Sequence, residues 1–258
     1  MNNLELKNIT EGLIDTFLRA GKVSKDFSAQ GLKITMKPDK SPVTDGDLAV
    51  DKILRDKILE LTPNIPVISE ETVNLKLENI NKTFWLIDPI DGTRQYIKNE
   101  DEYTLNAALI FNLKPSIGVI YAPKKNRLFF SYGTNLAFEI KNGVKKGLNC
   151  KKVNTREIIA LTNSDKMSDE ILQIYKKNNS TRTVKMSSSL KFCILAAGEA
   201  DIYAAESRAF EWDIAAGHAI LSHAGGSVTT HEGEEFLYGK KNYKNLPLIA
   251  KRSSDLKL

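Results

Sequence analysis

The chain has 258 residues, 41% hydrophobic and 27% charged, with a formal net charge of +5 and a pI near 9.0. This globular balance excludes disordered and fibrous classes, and the length allows one large domain or two packed subdomains without disulfide staples. Cys150 and Cys193 lie far apart and form no CxxC pair, so a reducing cytoplasmic setting is expected and a cysteine-built zinc site is not.

The first residues, MNNLELKNITEGL, lack a basic segment leading into an apolar one, and runs such as 192–197 are too short to cross a bilayer. No secretory signal and no transmembrane segment are therefore expected. Leu6, Ile9, Leu13, Phe17 and Leu18 recur at helical spacing and predict an amphipathic helix that stops at Gly21. A strand over 32–36, a turn at Ser41-Pro42 and a helix from Asp45 to about residue 62 follow, closed by Pro63. Short apolar or β-branched runs at 66–69, 83–88, 104–111, 117–121, 128–132 and 136–140 predict strands, the last two forming a hairpin around Gly133-Thr-Asn.

From about residue 151 the pattern alternates. Strands are predicted at 158–162, 182–186 and 200–204, and helices at 168–177, 190–197 and 212–224. The first half is thus mostly antiparallel and the second α/β. The boundary is placed in the lysine-rich stretch, giving units 1–147 and 148–258. The cluster Lys141, Lys145, Lys146, Lys151 and Lys152 has no interleaved aromatics to stack bases, so it is a solvated surface and no nucleic-acid partner is expected. The mild positive field suits a small phosphorylated substrate.

The chemistry concentrates in Trp85-Leu-Ile-Asp88-Pro89-Ile90-Asp91-Gly92-Thr93-Arg94. An apolar strand delivers Asp88, Pro89 keeps it extended, Gly92 permits a tight turn, and Thr93 is placed to cap a short helix suited to phosphate. Taken alone, the same residues describe an ordinary strand-to-turn junction. Three further acidic segments stand beside it: Ser69-Glu70-Glu71 after a strand, Thr44-Asp45-Gly46-Asp47 opening a helix, and Glu211-Trp212-Asp213 opening another. Asp47 and Asp213 serve equally well as helix caps, and Glu70 as a partner for any lysine. Gathered together, such carboxylates repel by about 4 kcal/mol per close pair at an effective dielectric near 20, and an oxygen-rich cluster suits Mg²⁺. His218, His223 and His231 lack zinc spacing and are assigned packing or surface roles, Cys193 a buried one, and Trp85 and Trp212 positions beneath the site.

With its motifs in order, Ser69-Glu70-Glu71, WxxDPxDGT over 85–93 and Glu211-Trp212-Asp213-Ile-Ala-Ala-Gly, the chain resembles the inositol monophosphatase superfamily over nearly its whole length. Ser41-Pro-Val-Thr, Asp91-Gly-Thr-Arg-Gln-Tyr-Ile, Gly118-Val-Ile-Tyr-Ala-Pro and Ser188-Ser-Leu-Lys191-Phe-Cys193 are most similar to its bacterial branch acting on adenosine 3′,5′-bisphosphate. The resemblance implies the layered α+β/α sugar-phosphatase fold and a lithium-sensitive Mg²⁺-dependent phosphomonoesterase. It implies metal ligation by Glu70, Asp88, the Ile90 carbonyl, Asp91 and Asp213, with Asp88 bridging two ions. Thr93 paired with Asp47 would deprotonate the attacking water, with Glu70 beside them. The Gly92 and Thr93 N–H groups would receive phosphate among Asp91 and Asp213, and Ser188 and Lys191 would contact nucleotide. Ala205 stands where that branch carries a basic residue, and Arg208 is the candidate replacement. An inositol or sugar phosphatase, and a nucleic-acid-binding protein that kept the fold, are the competing expectations.

Overall fold

A computed structural model describes residues 1–75, 81–150 and 157–257, so Lys151 and Lys152 of the lysine cluster lie outside the described residues. Helix α1 (Asn3–Gln30) begins at Asn2, whose side chain accepts from the Leu4 and Glu5 N–H groups while Glu5 returns a bond to the Asn2 N–H at 2.8 Å. Leu6, Ile9, Leu13, Phe17, Ala20 and Ser24 form its buried stripe, whereas Leu18 is exposed. The helix does not stop at Gly21. It ends only at Gly31, which takes φ +94°, and Gly21 instead lets α1 touch the sheet, since a Cβ there would lie 2.2 Å from the Tyr121 ring.

Strands β1 (Ile34–Met36) and β2 (Pro42–Thr44) pair as an antiparallel hairpin where only a turn was expected after Ser41. Helix α2 (Asp45–Leu61) follows, capped by Thr44 and closed at Thr62. Then come β3 (Val67–Ser69), β4 (Phe84–Asp91), the short α3 (Thr93–Ile97), β5 (Thr104–Phe111), β6 (Lys114–Ala122), β7 (Arg127–Ser131), β8 (Ala137–Lys141) and β9 (Val144–Gly147). Strands β3 to β9 lie in sequence order in a seven-stranded sheet, parallel only between β3 and β4. Strand β9 was not predicted, because its VKKG sequence is exposed throughout and carries no apolar alternation.

The remaining elements are β10 (Ile158–Thr162), α4 (Asp169–Lys177), β11 (Ser180–Lys185), α5 (Leu190–Ala196), β12 (Ile202–Ala205), α6 (Glu211–His223), β13 (Ser227–Thr230) and β14 (Leu248–Lys251). They form a five-stranded sheet in the order β11-β10-β12-β14-β13, parallel around β10 and antiparallel around β14. Strands β13 and β14 also escaped prediction. No helix among the described residues is long and apolar enough to cross a membrane.

The period-two alternation of β4 explains the layering. Trp85 and Ile87 pack with Leu13, Phe17, Leu54 and Ile58 of α1 and α2, while Phe84 and Leu86 face Ile214, Ile220 and Leu221 of α6. Both faces of the large sheet are therefore covered by helices, and the smaller sheet packs beyond α5 and α6, with α4 on its far side through Ile171, Ile174 and Tyr175. This is the mixed α/β layered arrangement the resemblance implied.

Helix α6 packs against β6 and α5 with a glycine at each contact. A Cβ on Gly118 would lie 2.3 Å from the Ala216 carbonyl oxygen, and one on Gly217 would lie 2.5 Å from the Phe192 Cβ. Gly118→Ala should therefore cost about 1–3 kcal/mol by overpacking. Gly147→Ala, where nothing stands within 4 Å, should be close to neutral. Thermal midpoints check this, and equal midpoints for the two variants would show that α6 tolerates displacement.

Candidate active site and metal centre

The carboxylates meet at the end of β4. In a regular strand, residues three apart face opposite sides. Here Asp88 stands opposite Asn106 and Asp91 opposite Thr104, so three steps along β4 match two along β5. One residue is absorbed as a bulge at Pro89-Ile90, where proline has no N–H to lose from the ladder. The bulge brings both carboxylates to the same end of the strand. Gly92 then turns the chain at φ +91°, and a Cβ there would lie 3.0 Å from the Glu102 carbonyl. Gly92, and not Thr93, occupies the cap position of α3.

Strand β3 pairs parallel with β4 and delivers Glu70, whose N–H donates to the Ile87 carbonyl at 3.1 Å. The close seating of α6 brings in Asp213, whose carboxylate accepts the Phe210 N–H at 2.7 Å. Carboxylate oxygens of Glu70, Asp88 and Asp213 lie within 4.8 Å of one another. Asp91 adjoins them closely enough for its charge to act on both Asp88 and Asp213.

Burial sets the electrostatics. Asp88 is 2% exposed and its Oδ1 has no hydrogen-bond partner among the described residues. Burial, then the charges of Glu70, Asp91, Asp213 and Asp47, push its carboxyl well above the usual range. Asp213 is raised by burial, Asp91 and Glu70. Burial pushes Asp91 up to about 6, against the pull of Lys191 and the Ser189 N–H. An all-oxygen cluster with an orphaned buried carboxylate oxygen is the donor set a hard divalent cation requires, so these residues fit one.

Asp47 lies in the first turn of α2, accepting the Thr44 N–H at 2.8 Å and the Thr93 hydroxyl at 3.3 Å. Neither Asp47 nor Asp213 is itself the cap of its helix; each sits three residues beyond, its carboxylate folded back on the cap residue's N–H. Burial raises Asp47 to about 6, opposed by its Thr44 hydrogen bonds. The Thr93 hydroxyl lies between Asp47 and the Ile90 carbonyl, 3.1 Å from the latter. Beside this acid cluster a cavity of about 290 Å³ is lined by Asp91, Gly92, Ser188, Lys191, Arg208 and Asp213, among others. All the sequence-predicted substrate residues except Thr93 are therefore on its wall.

Two of them are less free than expected. The Lys191 side chain is buried, its ammonium donating to the Ser188 and Met186 carbonyls and lying 5.1 Å above the Tyr203 ring. Burial lowers it to about 8, against the pull of Asp91, Glu102 and Asp213. Arg208 is exposed on the rim and paired with Glu206 at 3.0 Å. Ala205 lines the same cavity.

Lys37 escaped the sequence reading. From the turn of the β1–β2 hairpin its ammonium reaches Glu70 at 2.9 Å and Glu71 at 2.8 Å. Burial opposes its charge, but the two glutamates raise its pKa, while Glu71 is pushed up to about 7, chiefly by burial. Only the hairpin, not the local sequence, brings Lys37 there. Glu211 was missed as well: fully buried, it accepts the Gly239 and Lys240 N–H groups at 2.9 Å each and the Lys240 ammonium at 3.0 Å. His218 pairs with Tyr238, His223 with Ser131 and His231 with Glu170, none of them a residue of the acid cluster. Both cysteines are buried, Trp212 stacks on Phe210, and Trp85 donates to Thr62 on the α1–α2 side.

An acid cluster at a bulged strand end, completed by a residue from the first turn of α6, is an arrangement that could hold a metal ion. The chain belongs to the inositol monophosphatase family, whose profile matches residues 5–253, and it is a phosphatase. It is 36% identical over 241 residues to the 3′(2′),5′-bisphosphate nucleotidase CysQ of Buchnera aphidicola subsp. Acyrthosiphon pisum, covering 90% of each chain. Against the CysQ nucleotidase of Escherichia coli (strain K12) it is 34% identical over 208 residues, covering 80% of this chain and 83% of that one. Among solved structures, CysQ from Bacteroides thetaiotaomicron superposes with a TM-score of 0.76 at 28% identity, covering 94% of this chain and 96% of that chain.

Without a cation, the cluster should make stability fall as pH rises. Between about pH 4 and about pH 7 the folded state retains protons on Asp47, Asp91 and Glu71, whose pKa values are about 6, 6 and 7. The unfolded chain has released those protons, and stability is lost wherever the folded state binds more of them. Asp88→Asn should raise the thermal midpoint in chelator at pH 8 by removing one charge from the cluster. Unchanged midpoints at pH 8 would show that Asp88 carries no repulsion.

Proposed function

We propose that this phosphatase is a magnesium-dependent 3′(2′),5′-bisphosphate nucleotidase, converting adenosine 3′,5′-bisphosphate to AMP and phosphate. The observation that carries the reading is the orphaned Asp88 oxygen inside an all-oxygen acid cluster, beside a cavity whose wall holds Lys191 and Arg208. The names of the CysQ relatives support the substrate.

Glu70, Asp88, the Ile90 carbonyl, Asp91 and Asp213 would hold magnesium, which supplies positive charge against the phosphoryl and leaving oxygens. The other steps fall to the chain itself. Asp47, near 6, is largely ionised at neutral pH and accepts the Thr93 proton. Thr93 Oγ1 can then take a proton from the attacking water, so that a proton passes from water through Thr93 to Asp47, leaving the water as hydroxide and Asp47 neutral. Turning the Thr93 hydroxyl toward Asp47 also frees the Ile90 carbonyl for ligation. Gly92 and Thr93 offer N–H groups to the phosphate at the start of α3, and Glu70 stands beside the water's approach. Ser188, Lys191 and Arg208 face the rest of the substrate.

A second reading, an inositol or sugar phosphatase, is favoured by one observation. The cavity wall offers little unspent positive charge, because Lys191 is held by carbonyls, Arg208 by Glu206, and position 205 is alanine. Phosphate release from nucleotide bisphosphates and inositol phosphates, with Mg²⁺ or chelator, separates the two. Turnover should require Mg²⁺ and be fastest on the bisphosphate. Arg208→Ala should lower kcat/KM about tenfold on the bisphosphate, since a charge-assisted bond is worth roughly 1.5–3 kcal/mol, and barely alter a monophosphate. Lys191→Ala is a less selective probe, because that ammonium also pulls on Asp91 and would affect every substrate. Equal losses with Arg208→Ala on both substrates would favour the inositol or sugar reading.

A further inference from the structure

We propose that Ser189, Thr104 and Asn106 form a positioning device that fixes the Asp91 carboxylate for cation binding. The proposal rests on the reading of Asp91 as a metal ligand. Thr104 and Asn106 lie on β5 directly opposite Asp91 and Asp88, in a strand that is otherwise apolar, and they are 0% and 1% exposed. Ser189 arrives from the start of α5 and is 2% exposed.

Their hydrogens close a ring. The Ser189 hydroxyl donates to Asn106 Oδ1 at 2.5 Å and has no second hydrogen. Its 2.9 Å contact with Thr104 Oγ1 must therefore run from the Thr104 hydroxyl to Ser189. Thr104 Oγ1 in turn accepts from Asn106 Nδ2 at 3.3 Å. Each member donates once and accepts once, so the ring has a single sense and its bonds polarise one another in a dry environment. The remaining Asn106 hydrogen reaches the Thr104 carbonyl at 3.3 Å.

The ring matters because of what Ser189 does with its backbone: its N–H donates to Asp91 Oδ2. Just before it, Ser188 adopts φ +58°, a left-handed conformation unfavourable for serine. That twist points the Ser188 carbonyl at the Lys191 ammonium as the next N–H meets Asp91. Strain of this kind persists only where surroundings over-determine the backbone. The Ser189 hydroxyl, locked into the large sheet beneath the two aspartates, supplies that constraint. Asp91 is thereby aimed from a loop of the C-terminal half that is itself anchored to the strand beside Asp91.

The test uses chelator-stripped full-length protein and reads the Mg²⁺ concentration giving half the maximal rise in thermal midpoint. Thr104→Val removes the hydroxyl while keeping its shape, and Thr104→Ser keeps the hydroxyl. Thr104→Val and Ser189→Ala should each raise that concentration about tenfold, equivalent to about 1.4 kcal/mol. Thr104→Ser should remain within about twofold of the wild type. The Val/Ala double variant should be no weaker than either single one, because the ring acts as a unit. At saturating Mg²⁺ the KM for the phosphoester should be unchanged. A lower midpoint in chelator with a wild-type Mg²⁺ requirement would reduce the ring to ordinary core polarity and overturn the proposal. Absence of any Mg²⁺ shift in the wild type would remove the metal reading of Asp91 and the proposal with it, whereas failure to hydrolyse a nucleotide would leave both standing.

Discussion

Mutual repulsion among buried carboxylates is the constraint to which the rest of this structure answers. Asp88, Asp91, Asp213 and Glu70 lie close enough for their charges to act on one another, and each charge raises the cost of the next. Folding into a neutral core would scatter such groups, so the backbone must hold them by force of packing. The bulge at Pro89-Ile90 turns two aspartates to one end of β4, and parallel pairing of β3 sets Glu70 alongside. Gly118 on β6 lets α6 approach the sheet and add Asp213, and Gly217 lets α6 pack on α5. The cations Lys37 and Lys191 temper the cluster from its two sides without entering it as a common partner.

The same constraint explains the buried polar groups around the site. Glu211 would be an expensive charge at full burial unless paired. It gathers two N–H groups and an ammonium from residues 239–240, tying that segment to the first turn of α6. Asp213 lies two residues further on, so the strap fixes the helix end that brings Asp213 into the acid cluster. Trp212 between them stacks on Phe210, 4.7 Å between ring centres, and closes the apolar side of the turn.

How much of this was legible in the sequence depended on whether the cause was local. The strand into Asp88, the turn at Gly92 and the start of α2 follow from proline, glycine and capping residues next to one another, and they were read correctly. Gly21 was misread because a glycine needed for contact with Tyr121 looks the same as one that ends a helix. Strand β9 went unseen because its lysines show no buried face, and β13 and β14 were missed as well. Lys37 reaches Glu70 across 33 positions, which no local pattern encodes. The Thr104–Asn106 pair did leave a trace, two polar residues in the buried strand TLNAALIF, but only the pairing with β4 gives that trace a meaning.

A site assembled against repulsion has a thermodynamic consequence. The groups that make it able to hold a cation also lower the stability of the cation-free fold, so binding and folding draw on the same free energy. Local rules are broken where the chemistry sits: a bulge interrupts the strand, serine takes a left-handed turn at Ser188, and a carboxylate oxygen is left without a partner at Asp88. Away from the site the chain is orthodox, with apolar alternation on β4, a buried stripe on α1 and a capping box at Asn2. Concentrated irregularity within a consistent frame is what a functional site imposes on a fold. Here the irregularities come from both halves of the chain and converge on the same aspartates. Asp88 and Asp91 end a strand of the large sheet, while Ser189 and Asp213 begin the two helices packed between the sheets. Glu70 and Asp88 come from strands of the large sheet and Asp213 from α6, so the packing of α6 on that sheet is what brings the carboxylates together.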